Sequence, residues 1–178
     1  MRAFAPTPDE SIPVGPSVRT VPLLVEGKVE RTELFLYVPA SYDVGTPAAL
    51  MMMYHGTGGT GRGLSNYWRE LADETGMIVL APSEAGRNEG YSWDPRERAS
   101  ALAAMRFVRR RFNIDENRVF ASGISRGGHL AWDLALRDPD ILGAIAPMIG
   151  GPRFDLRRGA NNIRYLENVA HLSIRDLQ

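Results

Sequence analysis

The sequence predicts an α/β fold: a mainly parallel sheet with an N-terminal antiparallel hairpin and helices on both faces. From residue 48 onward, short apolar runs of strand length alternate with segments of helical composition. Two β-rich runs precede them and are separated by a Glu-Gly-Lys turn. Because strands that alternate with helices are joined by crossover connections, they form a parallel sheet that is covered on both faces.

The length, composition and charge of the chain limit the classes of function that it can have. The chain has 178 residues, of which 44% are hydrophobic, and its 21 Lys and Arg balance 21 Asp and Glu. This predicts one globular domain with a substantial core. The balanced charge argues against nucleic acid or an anionic membrane as partner. The absence of cysteine excludes a disulfide framework and a thiolate nucleophile, and since no metal-ligand spacing is present we expect no metal and no other cofactor.

Residues 1–17 predict an extended N-terminal arm, and residues 18–178 predict a single domain. The arm carries four prolines and little hydrophobic periodicity. It lacks the apolar region of a signal peptide, and no run in the chain reaches the roughly 18 apolar residues of a membrane span. The sequence does not decide the compartment: the protein is either cytoplasmic or secreted, with the leader absent from this sequence. It does not decide either whether the chain forms a homo-oligomer.

The first half of the chain predicts three strands, a loop and a helix. A hairpin joins residues 18–25 to residues 29–38. The continuous apolar run 48–54 is typical of a strand buried on both faces. Residues 55–61, His-Gly-Thr-Gly-Gly-Thr-Gly, are too rich in glycine for a regular element. A helix is predicted over 64–75, because a glycine stops the periodic pattern there.

The second half predicts further strands and helices. A short strand over 77–81 leads into a polar loop. Asp94, followed by Pro95, is typical of a helix N-cap. The helix that follows has an apolar face formed by Ala101, Leu102, Met105, Val108 and Phe112. The last predicted elements are a strand over 143–148, a short helix over 162–169 and the beginning of a strand over 172–174.

The strongest functional signal is the stretch 118–131, Arg-Val-Phe-Ala-Ser-Gly-Ile-Ser-Arg-Gly-Gly-His-Leu-Ala. A strand runs into Gly-Ile-Ser-Arg-Gly, and a segment of helical composition follows over 128–137. This is the strand–turn–helix context that the G-x-S-x-G motif requires to form a nucleophile elbow. In such a turn, crowding leaves room only for residues without a Cβ two before and two after the serine.

Ser125 is therefore the predicted catalytic nucleophile. The elbow places it at the N-terminus of a helix, where backbone N–H groups and the positive end of the helix dipole favour a developing anion. The alternative is a glycine-rich turn with a solvated serine.

Four blocks of the sequence resemble the α/β-hydrolase superfamily. They are L-F-L-Y-V-P-A-S-Y (34–42), A-L-M-M-M-Y-H-G-T-G-G (49–59), F-N-I-D-E-N-R-V-F-A-S-G-I-S-R-G-G (112–128) and A-I-A-P-M-I-G-G (144–151). Within the superfamily the chain is similar to esterases grouped with polyhydroxybutyrate depolymerases and feruloyl esterases. The resemblance implies the α/β-hydrolase fold and cleavage of a small-molecule carboxylic ester through an acyl-enzyme on Ser125.

The resemblance also implies an oxyanion hole formed by the backbone N–H groups of Thr57 and Arg126. In such enzymes the loop after the third strand contributes one donor, and the residue after the nucleophile contributes the other. A flexible turn or a phosphate-binding loop is the alternative for residues 55–61. A Walker-type loop ends in Gly-Lys-Ser/Thr, however, whereas this stretch runs into Gly-Arg-Gly.

Tyr91 and Trp93 are the candidate substrate-binding residues. They lie in the loop after the strand predicted at 77–81, at the face where ligands bind in open α/β sheets. Two interpretations are open: these aromatic side chains line the substrate pocket, or they anchor the loop.

None of the three histidines falls where the family keeps its catalytic histidine. The resemblance implies a structural role for His55, and we expect His129 to pack on a helix flank and His171 to be exposed. The family orders its triad Ser, then acid, then His, and only 53 residues follow Ser125. Asp176 is the one acid near the expected place, at the edge of the last predicted strand. We therefore expect a chain cut short before its last strands, acid and base.

Two alternatives to the esterase stay open at this level. A serine peptidase similar to prolyl oligopeptidase shares the elbow and the fold. A non-catalytic α/β-hydrolase-like binding protein is the second alternative, because no triad base is evident in the chain.

Overall fold

The computed structural model describes residues 12–84, 90–92, 94–153 and 161–178. The strands are β1 (Gly15–Val25), β2 (Lys28–Val38), β3 (Ala48–Tyr54), β4 (Ile78–Pro82), β5 (Ile114–Ile124), β6 (Ala144–Met148) and β7 (Ser173–Ile174). The helices are α1 (Gly61–Tyr67), α2 (Arg69–Thr75), α3 (Pro95–Arg111) and α4 (Arg126–Arg137), and 3-10 turns lie at Pro139–Ile141 and Ile163–Val169. None of the described helices is long and apolar enough to span a membrane.

The sheet is mixed and mostly parallel, which confirms the predicted fold class. Across the sheet the strands are ordered β1-β2-β4-β3-β5-β6-β7. The two pairings at the N-terminal end, β1 with β2 and β2 with β4, are antiparallel. The pairings from β4 through β3, β5 and β6 to β7 are all parallel. The carboxyl ends of β3, β4, β5 and β6 therefore meet at one edge of the sheet.

Helices cover the sheet on both faces, as predicted. Along β3, Met52 and Met53 are both fully buried but belong to different apolar layers, because successive strand side chains point to opposite faces. The larger layer contains buried side chains of α3 and α4. The smaller layer lies under α1 and α2, where Leu64 and Trp68 pack against it. The prediction that residues 48–54 form a strand buried on both faces is confirmed.

The hairpin of β1 and β2 is closed by a two-residue turn. Val25 pairs with Lys28, and Glu26 (φ 48°) and Gly27 (φ 77°) both have positive φ, as in a type I′ turn. β1 begins at Gly15. The last residues of the predicted arm therefore belong to the strand, and residues 1–11 of the arm lie outside the described residues.

β1 is an edge strand, and its prolines face the open side of the sheet. The closing pair of a two-residue hairpin is hydrogen-bonded, and bonded and non-bonded pairs alternate along the ladder. Pro22 and Pro16 lie at odd offsets from Val25, so both belong to non-bonded pairs. Their nitrogens point away from β2, which is where a strand tolerates proline.

The prediction of one helix over 64–75 is wrong, because two helices meet at Trp68. α1 begins earlier because Thr60 caps it, with its hydroxyl accepting the N–H of Gly63 at 3.1 Å. Trp68 leaves helical geometry (φ −91°, ψ 4°) and packs against the smaller apolar layer. Gly76 ends α2 in the left-handed region at φ 69°, as predicted.

The remaining elements lie close to their predicted positions. α3 buries Ala101, Met105 and Val108, and Leu102 packs against the same layer while partly exposed. Phe112 is buried just after α3 ends. β4 and β6 each lie within one residue of the predicted strands, whereas the helix predicted over 162–169 is a 3-10 segment.

Asp94 caps α3, and its removal is expected to weaken the fold measurably. One carboxylate oxygen accepts the N–H of Glu97 at 3.0 Å, and the other accepts the hydroxyl of Ser92 at 2.7 Å. We expect Asp94→Ala to lower the free energy of unfolding by about 1 kcal/mol, because an N–H at the helix start loses its acceptor. Urea unfolding measures this. Asp94→Asn keeps an acceptor and should stay close to the parent, and an unchanged midpoint for Asp94→Ala would contradict the cap.

Candidate active site

Ser125 lies between β5 and α4 in a strained backbone conformation. Its dihedrals are φ 54° and ψ −114°, which a residue with a Cβ rarely adopts. The backbone on both sides holds the turn, since the N–H of Ser125 donates to the Met148 carbonyl at 2.9 Å and its carbonyl accepts the His129 N–H at 3.0 Å. Such strain costs about 1–3 kcal/mol and persists only where the surroundings impose it, typically at functional sites.

The two glycines of the motif occupy positions that no side chain fits. A Cβ added to Gly127 would lie 2.0 Å from the Tyr54 carbonyl oxygen. A Cβ added to Gly123 would lie 2.5 Å from the carbonyl carbon of Gly127. The crowding that the sequence predicts on both sides of the serine is confirmed.

The glycine-rich loop after β3 lies directly against the elbow. The ends of β3 and β5 are paired, with Tyr54 opposite Gly123. A Cβ on Gly56 would lie 3.4 Å from the Cβ of Ser125. Residues 56–59 form a turn in which the Gly59 N–H donates to the Gly56 carbonyl at 3.0 Å. Thr57 occupies the second position of this turn and is exposed, and its N–H donates to no acceptor among the described residues.

Gly90 lies between the backbone of Thr57 and the side chain of Arg126. A Cβ on Gly90 would lie 3.5 Å from the backbone nitrogen of Thr57 and 3.0 Å from the Cδ of Arg126. The guanidinium of Arg126 donates to the Gly90 carbonyl at 3.3 Å, so the Arg126 side chain lies along the segment that contains Gly90. The N–H of Arg126 belongs to the first residue of α4, where a helix leaves its N–H groups without intrahelical acceptors.

His55 is buried beside the glycine-rich loop, and both of its ring nitrogens lie within hydrogen-bond distance of oxygen atoms. Nδ1 lies 2.8 Å from the Gly56 carbonyl oxygen, and Nε2 lies 2.9 Å from a carboxylate oxygen of Glu84. The imidazole is 2% exposed. These contacts match the structural role that the resemblance implies for His55. Glu84 carries no signal in the sequence, since its partner lies 29 positions away along the chain.

Tyr91 packs beneath the site, whereas Trp93 lies outside the described residues. The Tyr91 ring contacts Tyr54 edge-to-face at 5.5 Å and His55 at 4.7 Å between ring centroids. Its hydroxyl donates to the Pro82 carbonyl, and burial raises the pKa of this phenol well above its ordinary value. Tyr91 is 2% exposed, a placement that matches the loop-anchor interpretation; substrate contact by Tyr91 stays a prediction.

The other two histidines do not hydrogen-bond Ser125 Oγ in the described part of the chain. His129 lies one turn further along α4, and its Nδ1 lies 2.7 Å from the Gly151 carbonyl oxygen. His171 is exposed, as predicted. Asp176 is exposed on the segment that continues β7, where the N–H groups of Arg175 and Leu177 donate to β6 carbonyls at 3.0 Å. Within the described ranges, no three His, Asp or Glu side chains cluster as metal ligands would.

Comparison with known proteins gives relatives that are named depolymerases and esterases. No family model matches the chain. It is 30% identical over 141 residues to a poly(3-hydroxybutyrate) depolymerase of Ralstonia pickettii, an alignment that covers 66% of this chain and 29% of that protein. It is 29% identical over 155 residues to the probable feruloyl esterase C of Aspergillus flavus, covering 82% of this chain and 57% of that protein. The chain thus spans less than two thirds of the length of either relative.

Solved structures share the fold. The fluorophosphonate-binding serine hydrolase F of Staphylococcus aureus matches with a TM-score of 0.67 at 14% identity, over 92% of this chain and 78% of that one. A thermostable esterase matches with a TM-score of 0.66 at 19% identity, over 89% of this chain and 45% of that one. Sheet order, elbow and sequence relatives agree: the chain has the α/β-hydrolase fold, and its sequence is similar to those of polyhydroxybutyrate depolymerases and feruloyl esterases.

Proposed function

We propose that this chain is a serine hydrolase that cleaves carboxylic esters through an acyl-enzyme on Ser125. The observation that carries the proposal is the backbone of Ser125, held at φ 54° and ψ −114° at the N-terminus of α4. A nucleophile elbow requires a serine in a strained conformation at a helix N-terminus. In a solvated turn nothing would maintain that strain. The names of the curated relatives support an ester as the substrate class.

The chemistry follows from the groups around the serine. Ser125 Oγ attacks the acyl carbon, and the alcohol leaves with the proton that the serine hydroxyl loses. Water then cleaves the acyl-enzyme, which releases the carboxylic acid and restores the serine hydroxyl. The N–H groups of Thr57 and Arg126 bind the negative oxygen of each tetrahedral intermediate, assisted by the positive end of the α4 dipole. The proposal assigns the nucleophile and both donors, and it assigns no base.

A fluorophosphonate probe tests the proposal directly. The intact mass of the treated chain should increase by one adduct, and peptide mapping should locate the adduct on Ser125. Parallel assays with an aryl ester and a peptide anilide separate esterase from peptidase. Faster turnover of the anilide would favour the peptidase alternative. A chain that neither forms the adduct nor turns over either substrate would contradict the acyl-enzyme in this chain.

Thr57→Pro tests the oxyanion donor on the loop. Proline is favoured at the second position of a β-turn, so this change removes the backbone N–H while the turn is kept. We expect kcat for an aryl ester to fall about 10²–10³-fold, as it does when one oxyanion donor is removed from a serine hydrolase. Thr57→Ala keeps the N–H and should lose far less. Equal rates for the two variants, with both folded by circular dichroism, would contradict the role of this N–H.

A further inference from the structure

The direction of the Thr57 N–H is set by the carbonyl of Gly56. These two groups belong to the same peptide unit, which is planar and trans, so they point in opposite directions. The proposed function requires the Thr57 N–H to face Ser125, and a flip of that unit would present a carbonyl oxygen there instead. Gly56 has no side chain to oppose the flip, and Thr57 is exposed. The Thr57 N–H therefore needs an anchor on the Gly56 carbonyl.

His55 supplies that anchor. Its Nδ1 lies 2.8 Å from the Gly56 carbonyl oxygen, which also accepts the Gly59 N–H at 3.0 Å. Because a carbonyl oxygen only accepts, Nδ1 must carry a hydrogen. The ring is held on its flank by Tyr91, whose centroid lies 4.7 Å away. On the loop side, a Cβ on Gly59 would lie 3.0 Å from the His55 Cβ, so backbone closes tightly over the histidine.

Glu84 orients the imidazole from its other end. Nε2 lies 2.9 Å from the carboxylate, and Glu84 is 25% exposed whereas His55 is 2% exposed. With Nδ1 protonated, the hydrogen bond between Nε2 and the Glu84 carboxyl group needs one further proton, carried either by Nε2 or by the carboxyl oxygen. Glu84 follows β4, which is parallel to β3 and adjacent to it, so the two residues are brought together at one edge of the sheet.

We propose that Glu84 is a positioning residue for the oxyanion hole: through His55 it holds the Gly56–Thr57 peptide so that the Thr57 N–H faces Ser125. The inference rests on the proposed function, because it concerns a donor that acts only during ester cleavage. Glu84 touches no reacting atom and acts through the histidine. Its loss is therefore expected to lower kcat while leaving KM unchanged, since the donor stabilises the transition state and not the bound ester.

The test compares Glu84→Ala with Glu84→Gln in the whole 178-residue chain. In Glu84→Ala, kcat for an aryl ester should fall about tenfold, less than for outright loss of the donor, with KM unchanged. Glutamine donates to Nε2 through its amide and keeps Nδ1 protonated, so Glu84→Gln should recover most of the lost rate. Glu74→Ala, at an exposed acid on α2, is the matched control.

A double mutant tests whether Glu84 acts on the oxyanion hole through His55. Asparagine at position 55 keeps a donor near the place of Nδ1 but does not reach Glu84. In the His55→Asn background, Glu84→Ala should therefore add no further loss of kcat. An additional loss equal to that in the parent chain would overturn the proposal, as would a Glu84→Gln variant no better than Glu84→Ala.

Nuclear magnetic resonance separates failure of this inference from failure of the proposed function. The amide signal of Thr57 and the ring nitrogen signals of His55 can be followed without any turnover. Glu84→Ala should shift or broaden both sets, whereas Glu84→Gln should retain the Thr57 amide signal. If the parent chain shows no esterase activity, these signals still decide the role of Glu84. Unchanged Thr57 and His55 signals in Glu84→Ala would overturn the proposal.

Discussion

Ser125→Ala is expected to abolish adduct formation with a fluorophosphonate and to lower ester turnover at least about a thousandfold. The change removes the one atom that the proposed function places in covalent contact with substrate. Alanine adopts the strained dihedrals of Ser125 about as poorly as serine does, so the free energy of unfolding should hardly change. The measurements are intact mass after labelling, ester kinetics and urea unfolding. Persistent labelling of the variant would place the nucleophile elsewhere.

Ser125→Gly separates strain from chemistry at the same position. Glycine populates positive φ without the steric penalty of a Cβ. We expect this variant to be as inactive as Ser125→Ala but more stable than it by about 1 kcal/mol, because the backbone strain is relieved. Equal urea midpoints for the two variants would mean that the elbow stores little strain.

Gly127→Ala is expected to lower the free energy of unfolding by at least about 3 kcal/mol, one of the larger effects that a single methyl group can have. The added Cβ would lie 2.0 Å from the Tyr54 carbonyl oxygen and 2.8 Å from that of His55. Both atoms are backbone at or just after the end of β3, so β3 and α4 must separate to make room. That separation also pulls the glycine-rich loop away from Ser125.

Gly151→Ala is the matched control for that substitution. A Cβ on Gly151 meets no atom within 4 Å, so its replacement should change stability by less than about 0.5 kcal/mol. Urea unfolding followed by circular dichroism measures both variants. A Gly127→Ala variant as stable as Gly151→Ala would contradict the tight contact between the elbow and β3.

The sequence predicted the strands and the elbow well because their signals are local. Continuous apolar runs bounded by glycine and proline located β3 and β4 to within one residue. The spacing of Gly123 and Gly127 around the serine predicted the crowding, which the turn and the adjacent end of β3 impose together. Identification of Thr57 and Arg126 as donors came from family resemblance, and their role stays a proposal.

The features that were missed depend on contacts between distant segments. At Trp68, where two helices meet, the side chain packs against the smaller apolar layer, and helical periodicity carries no sign of the break. For Tyr91 the sequence left substrate contact and loop anchoring both open, because the burial of its ring against Tyr54 and His55 depends on residues far away in the chain. The pairing of His55 with Glu84 depends on the adjacency of β3 and β4, which the order of strands in the chain does not state.

The prolines of β1 affect how copies of this chain can associate. A sheet edge recruits a new strand through its outward N–H and C=O groups, and that recruitment is the usual start of fibrillar aggregation. Pro16 and Pro22 remove outward donors at two places along the strand. An incoming strand would therefore find an interrupted ladder along β1. A homo-oligomer of this chain, if one forms, is expected to use a surface other than this edge.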